Sequence, residues 1–526
     1  MNKLFNTTKY TALILLLTLA ACNKDFLNRV PEDALTVDNY YSSPKALDAA
    51  TAVLYNVPWF DFNDKAIWSY GDLLAGNMMS YDPQVTSFKT FDVTGDNTRV
   101  MEGWRSLFNV IARSNGIIND LPKKATGVTP TQVARCVGEA RFMRALAYFY
   151  LVRLWGPVPI IENNSEKIYD AQVPRNNVED VYKLIIKDLE FVESNCPAKS
   201  VYGGTDKARV TSGAAKTFLA KVYLYQKNYP KALAKAEEVI NSGEYSLMKD
   251  YEEIFKSENN VNLNPTVNTK TIFALLWDVD NGGWGVQNTN QAYFACYGQG
   301  LTGFSDGWSS ALPSIDLIKS YESGDKRRRA TIMQPDDVYP YMSYIKDGTE
   351  VTGYAYPPAS KGVSDTRANL KKYVVGSPAG NKGKGGFMRT YINGNIFRFA
   401  EVYLIAAEAI AKGGATADAK AVNYFNIVRR RAGLIERTSL IEDDIRQERR
   451  MELAIEGDYW YDLCRMDRVK AIELIRNQER GTYGSGTSIN SYKVTPKDKD
   501  FLLPVPASEI ITNPKLNEPP VPYTFK

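Results

Sequence analysis

Glu448 and Glu452 lie one helical turn apart, so on a helix their carboxylates share a face. A paired carboxylate could hydrolyse a glycosidic bond if the two groups flanked a cleft about 5 to 9.5 Å apart. Here Arg446, Arg449 and Arg450 surround the pair, which reads instead as an ion-pair network inside a scaffold. Other chemical signals fail on context. Gly298, Gly300 and Gly303 spell G-x-G-x-x-G, but FSDGW follows rather than a helix, so no dinucleotide turn is expected. The Gly-rich stretch 376–387 lacks the Gly-Lys-Ser/Thr of a phosphate loop and reads as a mobile loop. The basic run Lys326-Arg327-Arg328-Arg329 reads as a solvated helix end. The chain contains 0 histidines, which removes Ser-His-Asp and Cys-His nucleophiles, the usual zinc sites and histidine acid–base work. With 64 basic and 60 acidic residues the net charge is only +4, too small for a nucleic-acid footprint.

The more promising chemistry is non-covalent. Tyrosines and tryptophans number 33 and 8, and such rings offer flat apolar faces with a polar handle, suited to sugar rings and to peptides. A sugar binder also needs planar amides, carboxylates or arginines beside those faces. Two stretches supply both. The first, WFDFNDKAIWSYGDLLAGNMMSYD, holds Trp59, Asp61, Asn63, Trp68, Tyr70 and Asp72; the second, WDVDNGGWGVQNTNQAYFACYGQGLTGFSDGW, holds Trp277, Trp284, Tyr293, Tyr297 and Trp308. Gly282, Gly283 and Gly285 flank Trp284, so its ring is free to stand clear of its own backbone, and it is the leading candidate. Trp104 falls in a periodic helix and reads as core.

Those stretches need elements to hold them. Residues 10–21 are apolar with Lys3 and Lys9 ahead, which has the length of an export signal and is short of the about 20 residues that span a membrane. Leu19-Ala20-Ala21-Cys22 resembles a bacterial lipobox, which implies acylation of Cys22 and loss of the preceding signal. Helical periodicity then marks 46–55, 101–121, 132–154 (stopped by Gly156-Pro157) and 178–193, capped by Asn177. Thr211 and Pro230 start two helices that end near Gln226 and before Gly243, a hairpin whose small residues Ala215, Ala220, Ala232 and Ala236 permit close approach. A similar hairpin returns at 397–433, and a last helix covers about 441–456. Between the hairpins, about 245–395 is rich in Gly, Asn, Asp, Tyr and Trp with short strand-like pieces such as TIFALLW. So long a loop-rich insertion is usually functional. Cys136, Cys196, Cys296 and Cys464 show no paired spacing and read as buried free thiols.

Four landmarks in order carry a family resemblance: EARFMRALAYFYLVRLWGPVPII, VPRNNVEDVYKLIIKDLE, IRQERRMELAIEGDYWYDLCRMDR and FLLPVPASEIITNPKLNEPP. With the lipobox and the two hairpins, they resemble the SusD/RagB family over essentially the whole mature chain. The resemblance implies a mainly α fold, a single SusD-like domain with a tetratricopeptide-like helix-hairpin scaffold and a loop-rich insertion containing short strands. The expected division is a signal peptide at 1–21, a lipidated tether at 22–33 and the domain at 34–526. Within that domain the scaffold would occupy about 34–244 and 396–470, and the ligand region about 245–395.

What the resemblance implies is capture rather than catalysis. The protein would be a lipid-anchored, surface-exposed outer-membrane protein that binds oligo- or polysaccharide, needs no cofactor, and delivers its cargo to a SusC-like TonB-dependent transporter. Family ligand residues come from roughly the two aromatic stretches plus the loop before the C-terminal helices, which here carries Arg367 and Tyr391. The candidate set is therefore Trp284, Trp277, Trp308, Tyr293, Tyr297, Trp68, Asp72, Arg367 and Tyr391. Trp155, Gly156, Pro157, Trp460 and Tyr461 read as structural. Peptide capture is the alternative, favoured by a long backbone-pairing groove; a carboxylate-dependent glycoside hydrolase is a lesser one. No metal constellation is evident, and the Asp- and Asn-rich loops leave a carbonyl- and carboxylate-bound Ca²⁺ open.

Overall fold

In the computed structural model the described residues are 41–525 apart from 168–170, 261–270, 281–282, 362–363, 382 and 415–417. The export signal, Cys22, the tether and Gly282 lie outside them.

Each long helix has a local reason to start and stop. α1 (Pro44–Ala52) is capped by Ser43, and α2 (Thr98–Lys124) by Asn97, whose side chain accepts from the amides of Arg99 and Val100. α3 (Pro130–Trp155) opens with a Thr129/Gln132 capping box and closes at Gly156, where φ is 70°. At α4 (Val178–Asn195) Asn177 occupies the cap but makes no side-chain capping bond; Glu179 and Asp180 in the first turn complement the helix dipole instead. Thr211 caps α5 (Ser212–Tyr225) through the Ala214 amide, and Asn228 caps α6 (Tyr229–Ile240) with Pro230 in its first turn. After the insertion come α7 (Phe399–Lys412), α8 (Ala419–Ala432, ended by left-handed Gly433) and α9 (Glu442–Leu453). Two further helices that the periodicity missed follow, α10 (Tyr459–Cys464) and α11 (Arg468–Asn477).

Helices α2 to α6 pack each on the next, and α7 packs on α6, so the insertion leaves the stack and returns to the same place. Its two ends are zipped together. The strands in chain order are β1 (Met78–Ser80), β2 (Thr271–Leu275), β3 (Ala311–Pro313), β4 (Ile332–Met333), β5 (Val338–Lys346), β6 (Thr349–Ala355), β7 (Asn369–Leu370), β8 (Gly394–Arg398), β9 (Thr482–Tyr483) and β10 (Ile489–Asn490). They form two-stranded antiparallel pairs only: β1 with β3, β2 with β8, β4 with β7, β5 with β6, and β9 with β10. The β2–β8 pair is buried against the stack, with the rings of Phe142 and Phe273 4.6 Å apart and those of Phe218 and Phe397 5.0 Å apart. The landmark aromatics hold the C-terminal segment down. Trp155 donates from Nε1 to the Pro504 carbonyl, and Trp460 stacks on Phe501 with centroids 5.2 Å apart. The thiols of Cys136, Cys196 and Cys296 are buried and Cys464 half-buried, all free.

The run 326–329 is not a solvated helix end. Arg327 is fully buried and pairs with Asp325, Glu448 and Glu452, while Arg328 pairs with Asp337. Four successive cations could not all face water here because the short helix Arg327–Thr331 is packed against α9.

Candidate functional site

The carboxylate pair can be settled by contacts. Glu448 accepts from Arg327 at 2.5 Å and Arg429 at 3.1 Å; Glu452 accepts from Arg398 at 2.6 Å and also pairs with Arg431. Burial raises the Glu452 carboxyl, but Arg431, Arg398 and Arg327 outweigh it and hold the group well below the usual carboxylate range. A carboxylate so neutralised is no general acid.

The aromatic loops are built differently. At Phe62–Ala66 the chain makes a π-helical turn, and such turns re-aim successive side chains. Phe60 meets Trp277 and Trp284 edge-on, with centroids 6.5 and 5.3 Å away. Asp64 Oδ1 accepts from Thr289 Oγ1 at 2.7 Å and Tyr293 Oη at 3.0 Å, and burial followed by Asp64 raises the Tyr293 hydroxyl pKa. Lys65 Nζ lies 4.8 Å from the Tyr293 ring centre, pairs with Asp82 at 2.5 Å and donates to Gln84 at 2.8 Å. One turn of backbone therefore holds both halves of the second aromatic stretch.

On this base sits a surface of rings. Trp284 is 60% exposed, and Gly285 beside it has φ 101° with open space where a side chain would be. Trp308, half-buried, lies 5.7 Å from Tyr293 and 6.0 Å from exposed Phe387. Reciprocal backbone bonds between Asn288 and Thr390 tie the Trp284 loop to the Phe387 loop, and Asp306 Oδ2 accepts from the Met388 amide at 2.6 Å. The β1–β3 pairing, with Ser80 Oγ donating to the Ser310 carbonyl at 2.5 Å, brings Tyr81 beside the Trp308 segment; Tyr81 is 59% exposed. Buried beneath, Trp277 Nε1 and Asn63 Nδ2 are donors without a protein acceptor among the described residues.

The expected residues divide. Trp284, Trp308, Tyr293 and Trp277 come together, the last two mostly as supports since both are buried. Tyr297 is exposed nearby, its amide bonded to Ser309 Oγ. Trp68 is enclosed against Tyr293 and Phe294, so it has no face for a ligand. Asp72 is fully buried and accepts from Asn77 Nδ2 and from the amides of Ile455 and Gly457. Its job is to pin a turn that has Ile455 at φ 65°, where Gly71 and Gly457 approach too closely for any side chain. Burial raises its carboxyl to about 6 against the lowering effect of those bonds. Arg367 stands on the β9–β10 hairpin, over the Tyr483 ring at 4.5 Å and bonded to the Gly484 carbonyl. Tyr391 is buried with its hydroxyl 2.7 Å from Ser257 Oγ, lining a cavity of about 70 Å³ with Lys371 and Asn381. Sequence reasoning missed Tyr81, Phe387, Lys65 and Asp82. Tyr81 and Asp82 close the first aromatic stretch, and their place at the end of a strand before a polar turn was the available signal.

A cavity of about 300 Å³ lies between α7, α9 and α10, but Glu408 there pairs with Arg465 and Glu442 with Lys412. Among the described residues no cluster of 3 or more His, Cys, Asp or Glu could hold a metal ion.

A packed helix stack presents these exposed rings on loops. Residues 238–521 match the SusD family, and residues 25–224 match a family described as starch-binding associating with outer membrane. A SusD-like protein of Bacteroides ovatus is 36% identical over 97% of both chains. The starch-binding protein SusD of Bacteroides thetaiotaomicron is 27% identical over 74% of each. A crystal structure with xylogluco-oligosaccharide superposes with a TM-score of 0.81 at 34% identity, covering 91% of this chain and 100% of that one. The chain belongs to the SusD family.

Proposed function

We propose that this protein captures an oligo- or polysaccharide on the surface formed by Trp284, Trp308, Phe387 and Tyr81, without cleaving it. The observation that carries this is the exposed Trp284 ring, propped edge-on by Phe60, in a loop tied by the Asn288–Thr390 pairing to the loop whose Phe387 ring meets Trp308. Exposed rings supply apolar faces for sugar C–H groups, and the half-buried carboxylates of Asp82 and Asp306 beside them can accept from hydroxyls. The relative at 34% identity that holds a xylogluco-oligosaccharide makes a decorated glucan the first candidate. The carboxylate pair of α9 is spent on arginines, which argues against hydrolysis. Acylation at Cys22 would hold the protein at the outer membrane, and the cargo would pass to a SusC-like TonB-dependent transporter.

Affinity electrophoresis of residues 23–526 through gels containing xyloglucan, laminarin, starch or pectin tests this. Retardation by a polymer whose chain length stays unchanged is expected. Free migration in every gel, or progressive shortening of the polymer, would overturn it.

A further inference from the structure

The aromatic surface does not end at Tyr81. The short helix Thr86–Thr90 places Lys89 with its ammonium 5.4 Å from the Tyr81 ring centre and 5.2 Å from that of Tyr492. Tyr492 is 37% exposed and follows the β9–β10 hairpin, its amide donating to Glu479 Oε1 at 3.0 Å. Among the described residues no carboxylate pairs with Lys89; its pKa is lowered by burial and then by Arg480.

The position is fixed from below. Arg480 is fully buried and donates to the carbonyls of Lys89 at 3.1 Å and Leu74 at 2.8 Å and to Gln478 Oε1 at 2.8 Å, all neutral acceptors. Its guanidinium also lies 5.2 Å from the ring of Phe91, the left-handed residue that ends the Lys89 helix and packs on Trp460 at 5.8 Å. An ammonium thus stands between two solvent-facing phenol rings on a rigid footing, its charge shared only with π faces. Ring faces beside an unneutralised donor are what a sugar unit requires.

Resting on the capture reading above, we infer that Tyr81, Lys89 and Tyr492 form a further sugar subsite beyond Trp308, taking additional units of the bound chain. The tyrosine rings supply apolar faces and Lys89 Nζ donates to hydroxyl oxygens. Protein affinity should then rise with ligand length past the point at which Trp284 and Trp308 are covered.

Calorimetric titration with a length series of oligosaccharides from the polymer retained in the gels tests it, using the unaltered protein, Lys89→Ala, Tyr492→Ala and Trp284→Ala. Lys89→Ala and Tyr492→Ala should match the unaltered protein on the shortest ligands and lose roughly fivefold or more on the longest. Trp284→Ala should weaken every length. Equal length dependence in Lys89→Ala, Tyr492→Ala and the unaltered protein, with all three melting alike, would overturn the subsite and leave a latch that only pins the hairpin. Failure of the unaltered protein at every length, or indifference of Trp284→Ala, is a different pattern and would remove the aromatic surface itself.

Discussion

Two regions of this protein use the same residue types to opposite ends. Around α9, Arg327, Arg398, Arg429, Glu448 and Glu452 are buried and, with half-buried Arg431, satisfy one another. Under the aromatic loops, buried Lys65 pairs with Asp82, while above them Trp284 stands exposed and Trp308 half-buried. In the first region every charge has a partner, so none is left for a substrate, and removing one strands several others. In the second, the exposed rings are thinly coupled to the fold and available to a ligand. Charge density is therefore a poor guide to function here; unspent hydrogen-bonding capacity beside an exposed ring is a better one.

That contrast can be broken most sharply at Glu452. Glu452→Ala leaves Arg398, Arg327 and Arg431 without their shared carboxylate and should cost about 3–5 kcal/mol of stability in urea unfolding. An unchanged unfolding midpoint would show that the lattice is redundant. Acid reaches the same network. The folded-state carboxyl of Glu452 is held below its unfolded value, so its contribution is full above pH about 4 and is lost progressively as pH falls below that toward the depressed folded value. Unfolding midpoints should accordingly drop between pH 7 and pH 3, and less so in Glu452→Ala.

Asp72→Asn comes next. Ile455 and Gly457 donate to opposite oxygens of Asp72, so in Asn one of them faces an NH2 group, and one unsatisfied buried donor costs about 1–3 kcal/mol by thermal or urea unfolding. Glycan affinity of the folded fraction should not change; a selective loss of affinity with intact stability would return Asp72 to the binding site. Trp284→Ala reverses the pattern. Affinity should fall about tenfold or more, near 1.4 kcal/mol, with the melting temperature unmoved. A melting shift comparable to that of Asp72→Asn would mean that Trp284 is core. The smallest effect is expected at Tyr297, which is 68% exposed. Tyr297→Ala should change stability by less than about 0.5 kcal/mol, and any effect on affinity should be well short of that at Trp284.

Much of the scaffold was legible. Helix periodicity, the cap at Thr211 and the Gly156 stop are local signals, and local signals survive into the fold because they depend on neighbours within a few residues. Asn177 shows the limit: the residue was in the right place, yet its side chain makes no cap. The aromatic stretches were legible as regions but not residue by residue. Trp68 and Trp284 have the same chemistry and similarly polar neighbours, yet one is sealed against Phe294 and the other stands in solvent.

The sequence by itself determined the family, the hairpin scaffold, the exclusion of histidine chemistry and the freedom of Trp284 among its glycines. Only the tertiary structure decided that Asp72 pins a strained turn, that Arg327 lies in the interior, and that β1 and β3 bring the Tyr81 segment to that of Trp308. The physical reason is range. Backbone preference is set within a helical turn, whereas burial and charge pairing depend on residues hundreds of positions away, such as Gly457 for Asp72 and Ser310 for Ser80.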